Sequence, residues 1–470
     1  MTELDGTKQT ALNASRLGHV IVIGGGIGGL ALAQGLKQAG VSVAVYERDR
    51  TSADRVQGYR VHINPTGSRA LHACLPAGLF DAFDRTCGRP GHAIRFLTEQ
   101  MDVLLAIGGE HLHPNASPAK RGEDARKRAY AGGREGDGAI GRHRSVSRIT
   151  LRQILLSGLD GTVHFGKTFT RYQECDQRLI AHFDDGTSAV GDVLVAADGG
   201  GSRVRRQFLP HAERIDTGIV GIAGKVFLDG GNRDRIAPEL LDGLALVSAK
   251  GGYSFFVAQQ EIDGVALDAL SAAGIGGIDA SAGGHFDNTR SYLMWALGAR
   301  RRKFGIDGGE QELQGEPLRA IALRAMASWD ERLQTLVRRA DAGTINAIAM
   351  RTSRPLAPWP TRRVTLIGDA IHSMTPYRGI GANIALKDAV RLRDALVAAD
   401  RGERPLIDAI RAYEAGMIDY GFKAVRTSLR AMEQTTSDNV MGRIVSRAAF
   451  RAIDRLPPVK RWFAASLGNE

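Results

Sequence analysis

Three short clusters hold the residues whose types and spacing could do chemistry. The first is Gly24-Gly25-Gly26-Ile27-Gly28-Gly29, which contains the pattern Gly24-x-Gly26-x-x-Gly29. In such a turn the first glycine permits the tight bend, the second lets the backbone approach a pyrophosphate, and the third lets helix pack on strand. The helix that starts there offers free N–H groups and partial positive charge to phosphates. Glu47 lies 23 residues after Gly24. A carboxylate there accepts hydrogen bonds from ribose hydroxyls and repels a 2′-phosphate. These residues, with Gly28 in the turn and Arg48 beside Glu47, point to an adenosine-containing dinucleotide. The spacing does not separate FAD from NAD.

The second cluster is Asp198-Gly199-Gly200-Gly201-Ser202-Arg203-Val204-Arg205, after the run DVLVAAD. Taken singly it reads as a tight turn with helix capping. The third is Gly368-Asp369-Ala370-Ile371-His372, followed by Pro376, Gly379-x-Gly381-Ala382-Asn383 and Asp388. Asp369, ending a strand, can accept hydrogen bonds from sugar-like hydroxyls. Gly379 to Asn383 opens a helix whose N–H groups suit the N1–C2=O edge of a reduced flavin, which carries negative charge. A capped loop is the alternative for this segment considered alone.

The elements that must position these clusters are readable from periodicity. His19 to Ile23 reads as a short buried strand, LALAQGLKQAG as a helix ending at Gly40, and Val41 to Glu47 as a second strand, together a βαβ unit. A helical pattern resumes after Val146 (SRITLRQILLSGL), and strands lead into LVAADGG. From about 210 to 350 come the strand-like runs GIAGKVFL and GYSFFVA and a helix around Leu318 to Val337, with no chemical motif. VTLIGD begins a strand, a loop and a long helix, and the last 70 residues read as helical. Residues 108–145 contain eight glycines and thirteen charged residues, with Tyr130 as the only aromatic, which predicts a mobile surface insertion.

Length and composition bound the rest. At roughly 150 residues per domain, 470 residues suggest about three domains, or two with insertions. Hydrophobic residues at 43% and charged residues at 24% describe an ordinary globular chain. Cys74, Cys87 and Cys175 make neither a CxxC pair nor a zinc spacing, so no metal site is expected. Glycine is in excess, 58 residues or about 12% against a usual ~7%. The net charge is +11, but the 62 basic residues, 11 of them lysine, are spread along the whole chain. Without a zinc-finger, basic-zipper or RNA-binding pattern, a nucleic-acid partner is not expected. The N-terminus lacks the apolar run of a secretory signal, and no window of 18 apolar residues occurs, so a cytoplasmic location is expected.

The motifs GGGIGG…YE, the DGxxSxVR-like segment and GDAIHSMTPYRGIGAN occur in an order and spacing that resembles the single-component FAD-dependent aromatic hydroxylases. These are the para-hydroxybenzoate hydroxylase-like monooxygenases, with tetracycline-inactivating and polyketide-tailoring enzymes among the relatives. The resemblance spans about residues 18 to 400. It implies an α/β fold (α+β overall): a discontinuous Rossmann-type FAD domain (18–80, 140–208 and 350–400) and a β-sheet substrate domain (81–107 and 209–349). A flexible tail (1–17), a flexible insertion (108–139) and a helical C-terminal region (401–470) complete the expectation.

By motif match, the resemblance implies that Gly24, Gly26 and Gly29 hold the pyrophosphate and Glu47 the adenosine ribose. Arg148, in the pattern R-x-x-L-R-x-x-L, would contact the FAD linker. Asp198 with Gly199 would serve FAD and the nicotinamide cofactor. Gly368 and Asp369 would bind the ribityl chain, Pro376 would pack near the isoalloxazine, and Gly379, Gly381, Ala382 and Asn383 would line its pyrimidine edge. Relatives often carry glutamine between the last glycine pair; here it is Ile380, preceded by Tyr377-Arg378. Arg378 would place a cation near the flavin. Arg60 and His62, in Gly58-Tyr59-Arg60-Val61-His62-Ile63-Asn64-Pro65, match a stretch that crosses near the flavin, and are candidate pocket residues. His372 reads as structural.

The function implied is insertion of one oxygen atom from O2, through a C4a-hydroperoxyflavin, into an aromatic or polycyclic small molecule by hydroxylation or epoxidation. NADPH or NADH would be the reductant. No protein nucleophile is required. An FAD-dependent dehydrogenase without oxygenation is the alternative, and a basic membrane-surface or nucleic-acid binder the remote one. The protein is expected to be a monomer or homodimer without stable membrane insertion. Arg443, Arg447, Arg451 and Arg455 recur every four residues beside an apolar stripe of Met441, Ile444, Val445, Ala448 and Ala452. Trp462-Phe463 follow Pro457-Pro458. A helix packed by its apolar stripe with a solvated arginine face is expected; peripheral membrane contact is the other reading.

Overall fold

The computed structural model describes residues 17–51, 59–88, 91, 93–108, 140–229, 231–262, 268, 290–306 and 308–468. The expected tail and the expected insertion lie, but for their edges, outside the described residues.

Five short parallel strands form one sheet, in the spatial order Val364–Leu366, Val193–Ala196, Val20–Ile23, Val43–Tyr46, Val163–His164. VIVI, VLVA and VTL are buried at every position, as parallel strands covered on both faces require. Helix Ile27–Gln38 covers one side and is itself buried through Leu36. Its Gly28 leaves room for Ala385, so that helix Gly381–Asp400 lies against it. The second strand is shorter than expected and ends at Tyr46, with Glu47 just past it.

A seven-stranded sheet runs in the order Asn346–Ser353, Arg214–Phe227, Tyr292–Arg300, Ser254–Gln260, Gly243–Ser248, Ala93–Leu97, Val103–Gly108. Only the Gly243–Ser248 and Ala93–Leu97 pair is parallel. Side chains alternate between its faces. One face carries Val220, Ile222, Val226, Val257, Trp295 and Leu297, packed under two helices with Leu318, Leu333 and Leu336. Those helices are Glu316–Ala325 and Glu331–Arg339, not the single helix expected around Leu318 to Val337. The break has two causes. Trp329 turns into the core against Phe255 and Tyr253, and Asp330 caps the second helix by accepting from the Arg332 N–H at 2.9 Å.

The C-terminal region is three helices, Leu406–Thr435, Val440–Arg455 and Pro457–Gly468. The first packs along helix Gly381–Asp400, and the last two close on the outer strands Ala93–Leu97 and Val103–Gly108.

Candidate active site

The three clusters lie at the carboxyl ends of three adjacent parallel strands, the place where such sheets bind ligands. Main-chain bonds zip them together, Ala197 N to Ile23 O at 2.8 Å and Ile367 N to Ala196 O at 2.9 Å. Gly24 has φ +108°, and a β carbon there would stand 2.4 Å from the Ala197 carbonyl oxygen. One at Gly29 would stand 2.2 Å from the Gly24 carbonyl oxygen. Both positions therefore exclude any side chain. Gly26 differs: no described atom lies within 4 Å of its missing β carbon, and helix Ile27–Gln38 starts there with neither a side-chain cap nor an acidic residue in its first turn.

Glu47 is buried and braces this turn, accepting from Gly25 N at 2.6 Å and from Asp49 N at 3.0 Å. Arg48 is exposed at the rim. Arg152, which spacing did not single out, donates from Nε to the Gly25 carbonyl at 3.1 Å and lies 3.4 Å from Asp49. Arg148, one turn earlier, is exposed at the start of the same helix. The pattern R-x-x-L-R thus supplies one inward arginine that holds the turn and one at the surface.

In the second cluster, Asp198 does cap a helix, accepting from Arg203 N at 2.8 Å. Burial raises its pKa, and its Oδ1 is buried without a hydrogen-bond partner among the described residues. Gly199 has φ +75° and faces open space. Arg205 joins the second cluster to the third, donating to Gly200 O at 3.0 Å and to Ala370 O at 2.7 Å. Arg214 packs where a Gly200 β carbon would stand; burial lowers its pKa, while the charge of Asp369 opposes that shift.

In the third cluster, Asp369 is exposed between buried Gly368 and Ala370. Pro376, also exposed, opens the turn Pro376–Arg378. Gly379 has φ +62° and open space beside it, and helix Gly381–Asp400 begins without a side-chain cap. Ala382 is half-buried there. The Asn383 side chain is fully buried and engaged with the chain itself, accepting from Asn64 N at 2.9 Å and donating to His62 O at 2.9 Å. It fastens this helix to the strand Arg60–Ile63.

Arg60 donates to Ser145 Oγ at 2.6 Å. His62 stacks on His143, with ring nitrogens 3.0 Å apart. Burial, aided by His143 and Arg60, pushes the His62 pKa down to about 3, so the ring is neutral. Arg378 is half-buried, which lowers its pKa. Tyr377 beside it reaches the seven-stranded sheet, its hydroxyl 3.2 Å from Ser254 Oγ, in a space that Gly298 leaves open.

Beneath Asp369 lies a buried polar knot. Asp388 accepts from Gly368 N at 2.7 Å and from Tyr420 OH at 2.7 Å, and is 2.6 Å from His372 Nε2. Burial alone would lower the His372 pKa; the charge and hydrogen bond of Asp388, with Asp369 behind, outweigh it and raise the value above 6.5. A raised folded-state pKa means that this pair's stability is fully present below the unfolded value of 6.5 and is lost as pH climbs through the folded one. The melting-temperature difference between wild type and His372→Gln should therefore shrink from mildly acidic to alkaline pH. A difference that stays constant or grows contradicts the assignment.

Taken together, the residues fit an FAD. The open, uncapped helix start at Gly26 suits a pyrophosphate, and the exposed Asp369 and the unpartnered Asp198 Oδ1 suit polyol or ribose hydroxyls. The uncapped helix behind Gly379 suits an electron-rich ring edge.

Comparison with known proteins agrees. Residues 312–426 match the family described as FAD binding domain, and residues 22–85 the NAD(P)-binding Rossmann-like domain. A dual O-methyltransferase/FAD-dependent monooxygenase of Phaeosphaeria nodorum is 29% identical over 403 residues, covering 79% of this chain and 39% of that protein. The chain thus spans about two-fifths of the length of that relative. An FAD-dependent urate hydroxylase of Klebsiella pneumoniae is 29% identical over 402 residues, 85% of each chain. A solved structure from Photorhabdus luminescens, assigned as an FAD-containing monooxygenase, superposes with a TM-score of 0.73 at 31% identity, covering 89% of this chain and 98% of that one.

Proposed function

The chain belongs to the single-component FAD-dependent monooxygenases, and on that premise we propose that it oxygenates a flat, largely apolar aromatic or polycyclic small molecule, with NAD(P)H as reductant. FAD, when bound and reduced, supplies the activation of O2; the chain supplies position, electrostatics and a dry pocket.

One observation carries the substrate class. The sheet face that meets Tyr377 carries small side chains at its centre, Ala223, Ala258 and Ala296, while Met350 and Tyr377 fill the places where β carbons of Gly221 and Gly298 would stand. Half-buried Phe256, Met294, Leu244 and Leu246 border that floor, with Lys225 and Ser254 on the same face. A floor of alanines bordered mainly by apolar side chains suits a planar ring system. A urate hydroxylase among the relatives supports a planar substrate.

In this reading the Gly24–Gly29 turn, kept in shape by Glu47 and Arg152, holds the pyrophosphate, with Arg48 and Arg148 at its rim. Asp198 and Gly199 take ribose or linker hydroxyls, Asp369 the ribityl chain, and the main chain of Gly379 to Asn383 the pyrimidine edge beside Pro376. Arg378 offers a cation to an anionic or carbonyl-bearing substrate. Arg60 and His62 hold the pocket wall in place.

Filling the floor tests the site. Ala296→Phe should lower kcat/KM for a polycyclic phenol by about tenfold or more, equivalent to about 1.4 kcal/mol, while FAD content stays at the wild-type level. An unchanged kcat/KM places the substrate elsewhere.

A further inference from the structure

The C-terminal helices carry an orientation opposite to the one their sequence predicts. Helix Val440–Arg455 packs on the strand Val103–Gly108 through Phe450 and Ile453, with Phe450 stacked on Phe96 at 4.6 Å. On this inward side Arg447 donates to Glu99 and to the Ser248 carbonyl. Arg443 is half-buried, and its Nη1 has no hydrogen-bond partner among the described residues. The apolar stripe faces out. Met441 is 68% exposed, Ile444 56% and Val445 60%, and Leu456 and Trp462 extend the surface at 51% and 71%. Met441, Val445, Ala448, Ala452 and Leu456 follow helical spacing and are all exposed, so they form one continuous stripe. Contiguous apolar surface of this kind marks an interaction site.

Charge selects the occupant. Residues 440–468 contain six basic side chains and one acid, Asp454, which is paired with Lys460 at 2.9 Å. Arg451 beside the stripe, Arg455 on the same face at its C-terminal end, and Arg461 on the next helix are exposed. A second copy seated on this face would set two basic surfaces against each other. Anionic lipid headgroups instead neutralise them, while the arginine stems and Trp462 suit the boundary between headgroups and acyl chains. Among the described residues no helix is long and apolar enough to cross a membrane.

We propose that helix Val440–Arg455 and the Trp462 segment form a peripheral docking surface for anionic membranes, with Met441, Ile444, Val445, Leu456 and Trp462 entering the interface and Arg451, Arg455 and Arg461 meeting the headgroups. The docking does not depend on which substrate the active site takes.

The test is co-sedimentation of the full FAD-loaded chain with vesicles of phosphatidylcholine alone or with about one-third phosphatidylglycerol, at low salt and at about 0.5 M salt, where the Debye length shrinks to a few ångströms. The expected result is binding to the anionic vesicles that is at least tenfold stronger than to the neutral ones and falls at least tenfold at high salt. Met441→Ser/Ile444→Ser/Val445→Ser and, separately, Arg451→Glu/Arg455→Glu should each lose at least tenfold in binding, with FAD content and melting temperature unchanged. Three results overturn the proposal. They are no binding of the wild-type chain to anionic vesicles at low salt, variants that bind like wild type, or a wild-type dimer in sedimentation that the triple serine variant turns into a monomer. The last would assign the face to a second copy.

Discussion

Replacing Asp388 with alanine is expected to destabilise the protein by about 3–5 kcal/mol, the usual cost of removing one partner from a buried ion pair. Asp388 and His372 are almost wholly buried, and the same carboxylate also satisfies the Gly368 N–H and the Tyr420 hydroxyl. Alanine would remove the group that holds the His372 pKa up against burial and leave the imidazole and two polar groups without their acceptor. Because Gly368 precedes Asp369, the loop that carries the exposed carboxylate should loosen as well. The expected readouts are a large fall in the melting temperature of the apoprotein and a loss of retained FAD. Asp388→Asn, which keeps an acceptor, should recover part of both. An Asp388→Ala protein that melts with wild type would show that the knot is not a keystone of this loop.

Asp369→Ala is expected to act in the opposite manner, on ligand rather than on fold. Asp369 does not end the strand, which stops at Leu366, but starts the short helix Asp369–His372 with its carboxylate exposed, so its removal should change apoprotein stability by only about 0.5 kcal/mol. A hydrogen bond from a polyol hydroxyl to a charged acceptor contributes about 1.5–3 kcal/mol, so FAD affinity should fall about 10- to 100-fold. Titrating FAD into apoprotein and following the quenching of its fluorescence measures this directly. Equal affinities for wild type and variant would remove Asp369 from the cofactor site. The contrast between the two aspartates, 19 residues apart, follows from burial: the Asp388 carboxylate is enclosed by protein and that of Asp369 is exposed.

Much of the cofactor domain is legible from sequence because its signals are local. The glycine turn sits between a strand and a helix within a dozen residues, and β carbons at Gly24 and Gly29 would clash with the main chain while Gly26 has open space beside it. Long-range partners are not legible. Nothing near Arg152 or Arg205 in the sequence indicates that one grips the Gly25 carbonyl and the other ties Gly200 to Ala370. Gly25 lies 127 residues from Arg152 and Ala370 lies 165 residues from Arg205, so only the fold reveals those two contacts. Asn383 shows the same limit: its motif position points to a ligand, while its side chain is taken up by Asn64 and His62. The break at Trp329 and Asp330 was also hidden, since helical periodicity runs on through it and only the demand of the core for the indole ends it. At the C-terminus the periodic arginines and apolar residues fix that a helix forms but not which face turns inward. Glu99 and the Ser248 carbonyl decide that by capturing Arg447.

Oxygen transfer at the junction of the glycine-rich loops and the small-residue floor of the seven-stranded sheet would be read from product mass under isotopically labelled O2. FAD-loaded protein, NAD(P)H and a substrate chosen by stimulated NAD(P)H oxidation are incubated under the labelled gas. The expected product carries one labelled oxygen atom per reductant consumed. A product lacking label, or one that has only lost two hydrogens, would contradict it and identify a flavin dehydrogenase instead.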